Sequence, residues 1–215
     1  MGAASHVPKP WPGATLPTTS HTDDPFTGHM AEAWITSRQN ISPKRLEAPG
    51  PDVSQLQQIF RSAASAPDHG LVKPWRFVIV PQDKRALLAE VFALALVDRD
   101  PGATLEQIET AREKAHRAPV LMLVVAQLGT CEPPIPSLER MVSVGAAVQN
   151  MLLMAHGQGF GSSLTSGQAM QSARMRQLFG LATGEEAVCF LNIGTVSRRK
   201  TQRRHPEVHS FVSTL

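Results

Sequence analysis

An α+β architecture, a small central sheet flanked by helices, is what this sequence predicts. Three observations carry that expectation. Stretches with apolar residues at helical spacing recur along the chain. Only three runs read as strands, one of them alternating and one continuously apolar. The two kinds follow each other irregularly, not in the regular strand–helix–strand order of a parallel sheet.

Composition bounds the rest. The 215 residues suit one domain with an extension. With 42% hydrophobic and 18% charged residues the chain can bury a core and is no disordered polyelectrolyte. A net charge of +3 argues against a dedicated nucleic-acid binder. Cys131 and Cys189 stand far apart without a metal-ligand pattern, which suits a reducing, cytoplasmic setting. No tyrosine is present, so no phenol acid can serve a mechanism. No apolar run reaches membrane-spanning length, and the N-terminus has no hydrophobic signal core.

Residues 1–26 read as a flexible extension, because Pro8, Pro10, Pro12, Pro17 and Pro25 block helix and ladder alike; Trp11 could anchor it to a neighbour. The domain follows over 27–215. Its first helix is expected over 28–37, with Met30, Ala33 and Trp34 on one side. Arg38, Asn40, Lys44 and Arg45 come next, and Pro43 ends any helix before it. Two readings stay open for this stretch: an anion grip of guanidinium and amide groups, or a solvated basic loop.

Asp52 and Gln55 form the pattern of a capping box, opening a helix whose buried face is Leu56, Ile59, Phe60, Ala63 and Ala64. Pro67, Asp68 and Gly70 make the next segment a loop, on which His69 reads locally as a surface histidine. A strand is expected over 75–80. A helix is expected over 84–97, its apolar face formed by Leu87, Leu88, Val91, Phe92 and Leu94. A more polar helix should cover 105–117, and the run PVLMLVVA at 119–126 reads as a buried strand.

The stretch from Ser143 to Gly167 organises the chain. Val144, Ala147, Val148, Met151, Leu152 and Ala155 recur at helical spacing, and only Gln149 and Asn150 are polar in the middle. A helix apolar on nearly every face needs cover on nearly every face, in the core or in a subunit interface. Gly157, Gly159, Gly161 and Gly167 crowd its end. They do not make a dinucleotide fingerprint, since the third glycine position falls on Ser162 or Leu164 and no strand precedes. A helix cap and turn is the plainer reading. A short helix over 175–179 and a third strand over 187–195 follow. The tail then carries the strongest charge run, Ser197 to His205, open to three readings: solvated surface, phosphate grip or nucleic-acid patch. The last lacks the aromatic interleaving a single-strand binder would use.

The order SRQNISPKRL, APDH…KPWRFVIV, GAAVQNMLLMAHGQGFG…TSG and FLNIGT resembles the FMN-dependent nitroreductase family, specifically its small bacterial NAD(P)H nitroreductases. The likeness runs from about Ile35 to the C-terminus. It implies an α+β sandwich, a homodimer, and one FMN at each end of the subunit interface.

The family's opening Arg-Arg-Ser, which holds the FMN phosphate and ribityl chain, falls on Arg38, Gln39 and Asn40, so one positive charge is replaced by an amide. Ser65 and His69 match flavin contacts of the short subfamily. Leu164, Thr165 and Ser166 match a segment along the isoalloxazine, with Leu164 in place of a tryptophan and Thr165 in place of an arginine. Residues 154–159 match a segment assigned to the nicotinamide nucleotide. Lys200 and Arg203 in the basic tail match the place where members put a cation on the phosphate.

The implied activity is hydride transfer from NADH or NADPH through FMN to a small-molecule electron acceptor, such as a nitroaromatic or a quinone, in ping-pong order. That chemistry belongs to the cofactor, which accounts for the lack of a catalytic triad, metal ligands or paired carboxylates in the sequence. The resemblance leaves two other outcomes: a same-fold enzyme of flavin cleavage or reductive dehalogenation, or a non-catalytic flavin-binding protein. No nucleic acid, membrane or metal is expected as a partner.

Overall fold

The computed structural model describes residues 9–10, 25–199, 201 and 204–215. The chain forms two compact units, one of residues 1–37 with 201–215 and one of residues 38–200. In the first, strand β1 (Lys9–Pro10) pairs antiparallel with β7 (Ser213–Thr214), and helix α1 spans Pro25–Ser37. That helix starts three residues earlier than the sequence suggests. Met30 and Trp34, its expected apolar side, are exposed. Most of the expected flexible extension, 1–26, lies outside the described residues.

The second unit is built on an antiparallel sheet. Strands β3 (Trp75–Ile79), β4 (Val120–Gln127) and β6 (Glu185–Val196) lie side by side in that order. The far edge of β6 carries two short strands, β5 (Gly161–Thr165) and β2 (Leu46–Glu47). Continuous apolar sequence in β4 follows from its central position. Met122, Val124 and Ala126 enter one core, and Leu121, Leu123 and Val125 enter another on the opposite face.

Helices α2 (Val53–Ala63) and α5 (Ser137–Gly157) cover the first face. Helices α3 (Arg85–Arg99), α4 (Leu105–Glu113) and α6 (Ala173–Leu178) serve the second. The expected capping box of α2 forms: Asp52 Oδ1 accepts from the Gln55 N–H at 2.8 Å, and Gln55 Oε1 accepts from the Asp52 N–H at 2.9 Å. Thr104 and Gln107 make a second box at the start of α4.

All six apolar residues expected of the central helix are buried in α5. Removing a Met or Leu side chain of this kind from water contributes about 1.5–3 kcal/mol. Arg140 anchors the start of α5 to the end of β4, donating to the carbonyls of Gln127, Leu128 and Gly129 at 2.7, 2.9 and 2.6 Å.

Two expectations change. Leu87 and Leu94 of α3 are exposed, and Ala89, Ala93 and Ala95 are buried beside Leu88 and Phe92. Within one chain α5 leaves Leu138 and Val142, one turn apart, 81% and 73% exposed, so part of its expected cover would have to come from a subunit interface. The glycine-rich stretch after α5 is a strand from Gly161, not only a cap and turn. Gly161 is needed there, since a Cβ would lie 2.5 Å from Val196 Cγ2 and 2.9 Å from Leu46 Cδ2.

Candidate functional site

Arg38 opens the second unit, and the backbone then runs beside β5. Asn40 bridges to Ser162 in parallel, and the Ile41 N–H donates to the Ser162 carbonyl at 3.0 Å. Three buried polar atoms along this junction have no hydrogen-bond partner among the described residues: Arg38 Nε, Gln39 Oε1 and Ser163 Oγ. Unpaired buried polar atoms are costly, so a group of them signals a bound polar ligand or water.

The last turn of α5 brings His156 to the same place. The His156 imidazole is held below the usual 6.5, first by burial and then by the Arg199 and Arg38 guanidiniums. Two fixed cations therefore act on one half-buried imidazole, at a site bordered by unpaired polar atoms. Such a concentration of positive charge suits a phosphate.

Strand β5 carries the next residues. Thr165 Oγ1 accepts from Asn192 Nδ2 at 3.0 Å, Ser166 Oγ donates to the Val188 carbonyl at 3.2 Å, and Leu164 is 40% exposed. Leu164, Thr165 and Ser166 thus extend along one edge from the Arg38–Asn40 junction.

Ser65 and His69 stand elsewhere. Helix α2 runs antiparallel to α5, because Gln158 Nε2 donates to the Gln55 carbonyl at one end and Asn150 Nδ2 donates to the Ser62 carbonyl further along. Ser65 lies beyond that point. His69 Nδ1 meets Glu139 Oε2 at 2.8 Å, at the start of α5. From Glu139 to His156 the helix axis covers about 25 Å at about 1.5 Å per residue. Eight of the ten expected site residues are described. Among these, His69 stands at the start of α5, Ser65 lies past the Ser62–Asn150 contact beside the middle of the helix, and Arg38 acts on His156 at its other end.

The loop bearing His69 is strained. Gly70, Leu71 and Lys73 have φ of 73°, 54° and 46°. Left-handed Leu and Lys cost about 1–3 kcal/mol each and persist only when their surroundings impose them. Asp68 does so, accepting from the Lys73 N–H at 2.8 Å through Oδ2 and from the Leu71 N–H at 3.1 Å through its carbonyl. Leu71 is left 80% exposed at the tip.

Sequence reasoning missed His156 and Arg199 as neighbours of Arg38. The basic tail was its signal for a second cation, and it pointed to Lys200 and Arg203, which lie outside the described residues. No signal marked Ser162 and Ser163, whose place depends on the strand pairing of β5. Among the described residues no group of three or more His, Cys, Asp or Glu could hold a metal, and no helix is long and apolar enough to cross a membrane.

Comparison with known proteins agrees with this fold. A Haemophilus influenzae protein named "Putative NAD(P)H nitroreductase" is 32% identical over 84% of this chain and 97% of its own length. The nitroreductase-like family protein of Bacillus cereus superposes with a TM-score of 0.74 over 92% of this chain and 98% of that one, at 17% identity. An FMN-dependent nitroreductase of Clostridium difficile R20291 gives 0.57 over 80% and 91%, at 15% identity. These two structures speak to the fold alone. The family profile matches residues 37–195, from the start of the Arg38 junction to the end of β6, and with it the conclusion follows: this chain belongs to the Nitroreductase family.

Proposed function

We propose that this protein is an FMN-dependent oxidoreductase that takes hydride from NADH or NADPH and reduces nitroaromatic, quinone or related acceptors by a ping-pong mechanism. The observation that carries the reading is the junction of Arg38, Gln39 and Ser163 with its unpaired buried atoms, next to the Arg199 guanidinium and the His156 imidazole. The names of the Haemophilus relative and the Clostridium structure support the donor and the cofactor.

The residues present fit the cofactor. Arg38 and Arg199 would hold its phosphate through charge-assisted bonds, with Lys200 and Arg203 as the tail's further candidates. Gln39 and Asn40 would offer amide groups to the ribityl chain and ring carbonyls. Leu164, Thr165 and Ser166 would lie along the ring. Bound FMN would supply the redox chemistry, and the protein would supply binding, orientation and exclusion of water.

Ser65 and His69 enter this reading through a second copy. In a two-fold dimer that sets one α5 antiparallel against the other, His69 of one copy approaches Arg38 of its neighbour. The exposed Leu138 and Val142 on α5, together with the exposed Leu71 of the strained loop, support that contact. Two free thiols, Cys131 and Cys189, suit a reducing cytoplasm.

The visible spectrum of the purified protein tests the cofactor. The expected protein is yellow, releases FMN rather than FAD on denaturation, and bleaches with NADH or NADPH. Protein that stays colourless after incubation with FMN would overturn the reading.

A further inference from the structure

His69 meets Glu139 across 70 residues of chain, and each partner is held by its own element. Glu139 lies in the first turn of α5, where a carboxylate faces the positive end of the helix. The next residue, Arg140, is buried and ties that turn to the end of β4 through its three carbonyl contacts. His69 opens the short helical turn His69–Leu71, which Gly70 sets against residues 133–135. A Cβ on Gly70 would lie 2.8 Å from Pro133 Cγ and 3.3 Å from Ile135 Cδ1, and its φ of 73° favours glycine in any case. Both backbones are thus fixed where the side chains meet.

The contact of 2.8 Å assigns the ring nitrogens. An ionised carboxylate only accepts, so the shared proton lies on Nδ1. Nε2 is left without a hydrogen-bond partner among the described residues. Stability does not account for the arrangement. The two side chains are 68% and 51% exposed, and exposed ion pairs contribute little. The left-handed Leu71 and Lys73 that shape the loop work against folding, and such strain collects where a group must be held in one orientation.

We propose that Glu139 is a positioning residue: it fixes the His69 ring and its Nδ1 proton so that Nε2 meets the flavin held by the neighbouring copy. The role rests on the proposed FMN site shared by two copies, and Glu139 itself need not touch the flavin. A carboxylate on one ring nitrogen sets which nitrogen is protonated and how the ring is turned. An exposed imidazole without that partner turns freely and exchanges its proton between the two nitrogens, so part of its population presents the wrong atom. The loop supplies the place, and Glu139 supplies the orientation.

The test is a double-mutant cycle on FMN affinity, read by fluorescence titration of the full chain, together with NMR of the His69 ring nitrogens. Glu139→Ala should raise the FMN Kd by about threefold to tenfold, the range one hydrogen bond gives. In a His69→Ala background the same substitution should change Kd by less than about twofold, because Glu139 acts only through the histidine. Glu139→Gln keeps an acceptor at the same reach and should stay nearer the wild-type Kd than Glu139→Ala does. In flavin-free protein the neutral wild-type ring should carry its proton on Nδ1, and Glu139→Ala should move it toward Nε2, the nitrogen a free imidazole prefers. An equal loss of affinity in both backgrounds would make Glu139 a support of the helix start and overturn the proposal, as would a proton on Nε2 in the wild-type ring. Wild-type protein that takes up no FMN would overturn the cofactor reading and this role with it. FMN binding that is indifferent to Glu139→Ala would overturn this role alone.

Discussion

Arg38 is the side chain on which the cofactor reading rests. Its Nε is buried without a partner, and its charge acts on His156. Hydrogen bonds to charged groups contribute about 1.5–3 kcal/mol each, so Arg38→Ala should weaken FMN binding by about tenfold to a hundredfold with little loss of stability, read by fluorescence titration. Unchanged binding would move the phosphate elsewhere. His156 reports the same event by its proton. Its pKa in the folded protein lies below the usual 6.5, so the neutral imidazole is favoured, and its contribution to stability is complete above 6.5 and lost as pH falls through the lowered folded value. A phosphate dianion beside Arg38 and Arg199 would offset their charge. The His156 midpoint, followed by NMR, should therefore rise when FMN binds; an unmoved midpoint would contradict the placement. At this scale the sequence made Arg38 legible because guanidinium and amide types cluster there. It did not mark His156, because a histidine late in an apolar helix acquires its charged neighbours only through tertiary packing.

Strand β5 shows why one element escaped sequence reading. Gly161, Ser162 and Ser163 have little strand preference of their own, and glycine after a helix signals a turn. The strand exists because β6 offers it a partner over residues 190–194 and because Gly161 leaves room for Ile41, Leu46 and Val196. By contrast β4 and α5 were legible, since their apolar runs match the period and length of what they form. The prediction belongs to this element. Gly161→Ala forces side chains apart and should cost about 1–3 kcal/mol in denaturant unfolding, as overpacking does. FMN affinity should fall with it, because Asn40 and Ile41 are tied to Ser162. A variant of unchanged stability would show that the β5 edge yields without strain.

At the scale of the whole molecule, His69 and Arg38 belong to opposite ends of α5, with Ser65 beside the middle of the helix. Periodicity made the helix and the sheet readable and gave the helix its length, but which part of α5 each site residue packs against is set by tertiary contacts that no sequence signal reports. In the proposed dimer, two chains packed across α5 would bring Arg38 of one copy and His69 of the other to one mononucleotide. Subunit complementation tests this most directly. Arg38→Ala and His69→Ala variants, each weak in FMN retention, are mixed under exchange, and bound flavin is measured by absorbance. If each site takes Arg38 from one copy and His69 from the other, random exchange restores about a quarter of the wild-type sites, because half the dimers are mixed and each mixed dimer has one intact site. Flavin content that stays at the level of the separate variants would contradict a site shared between two chains.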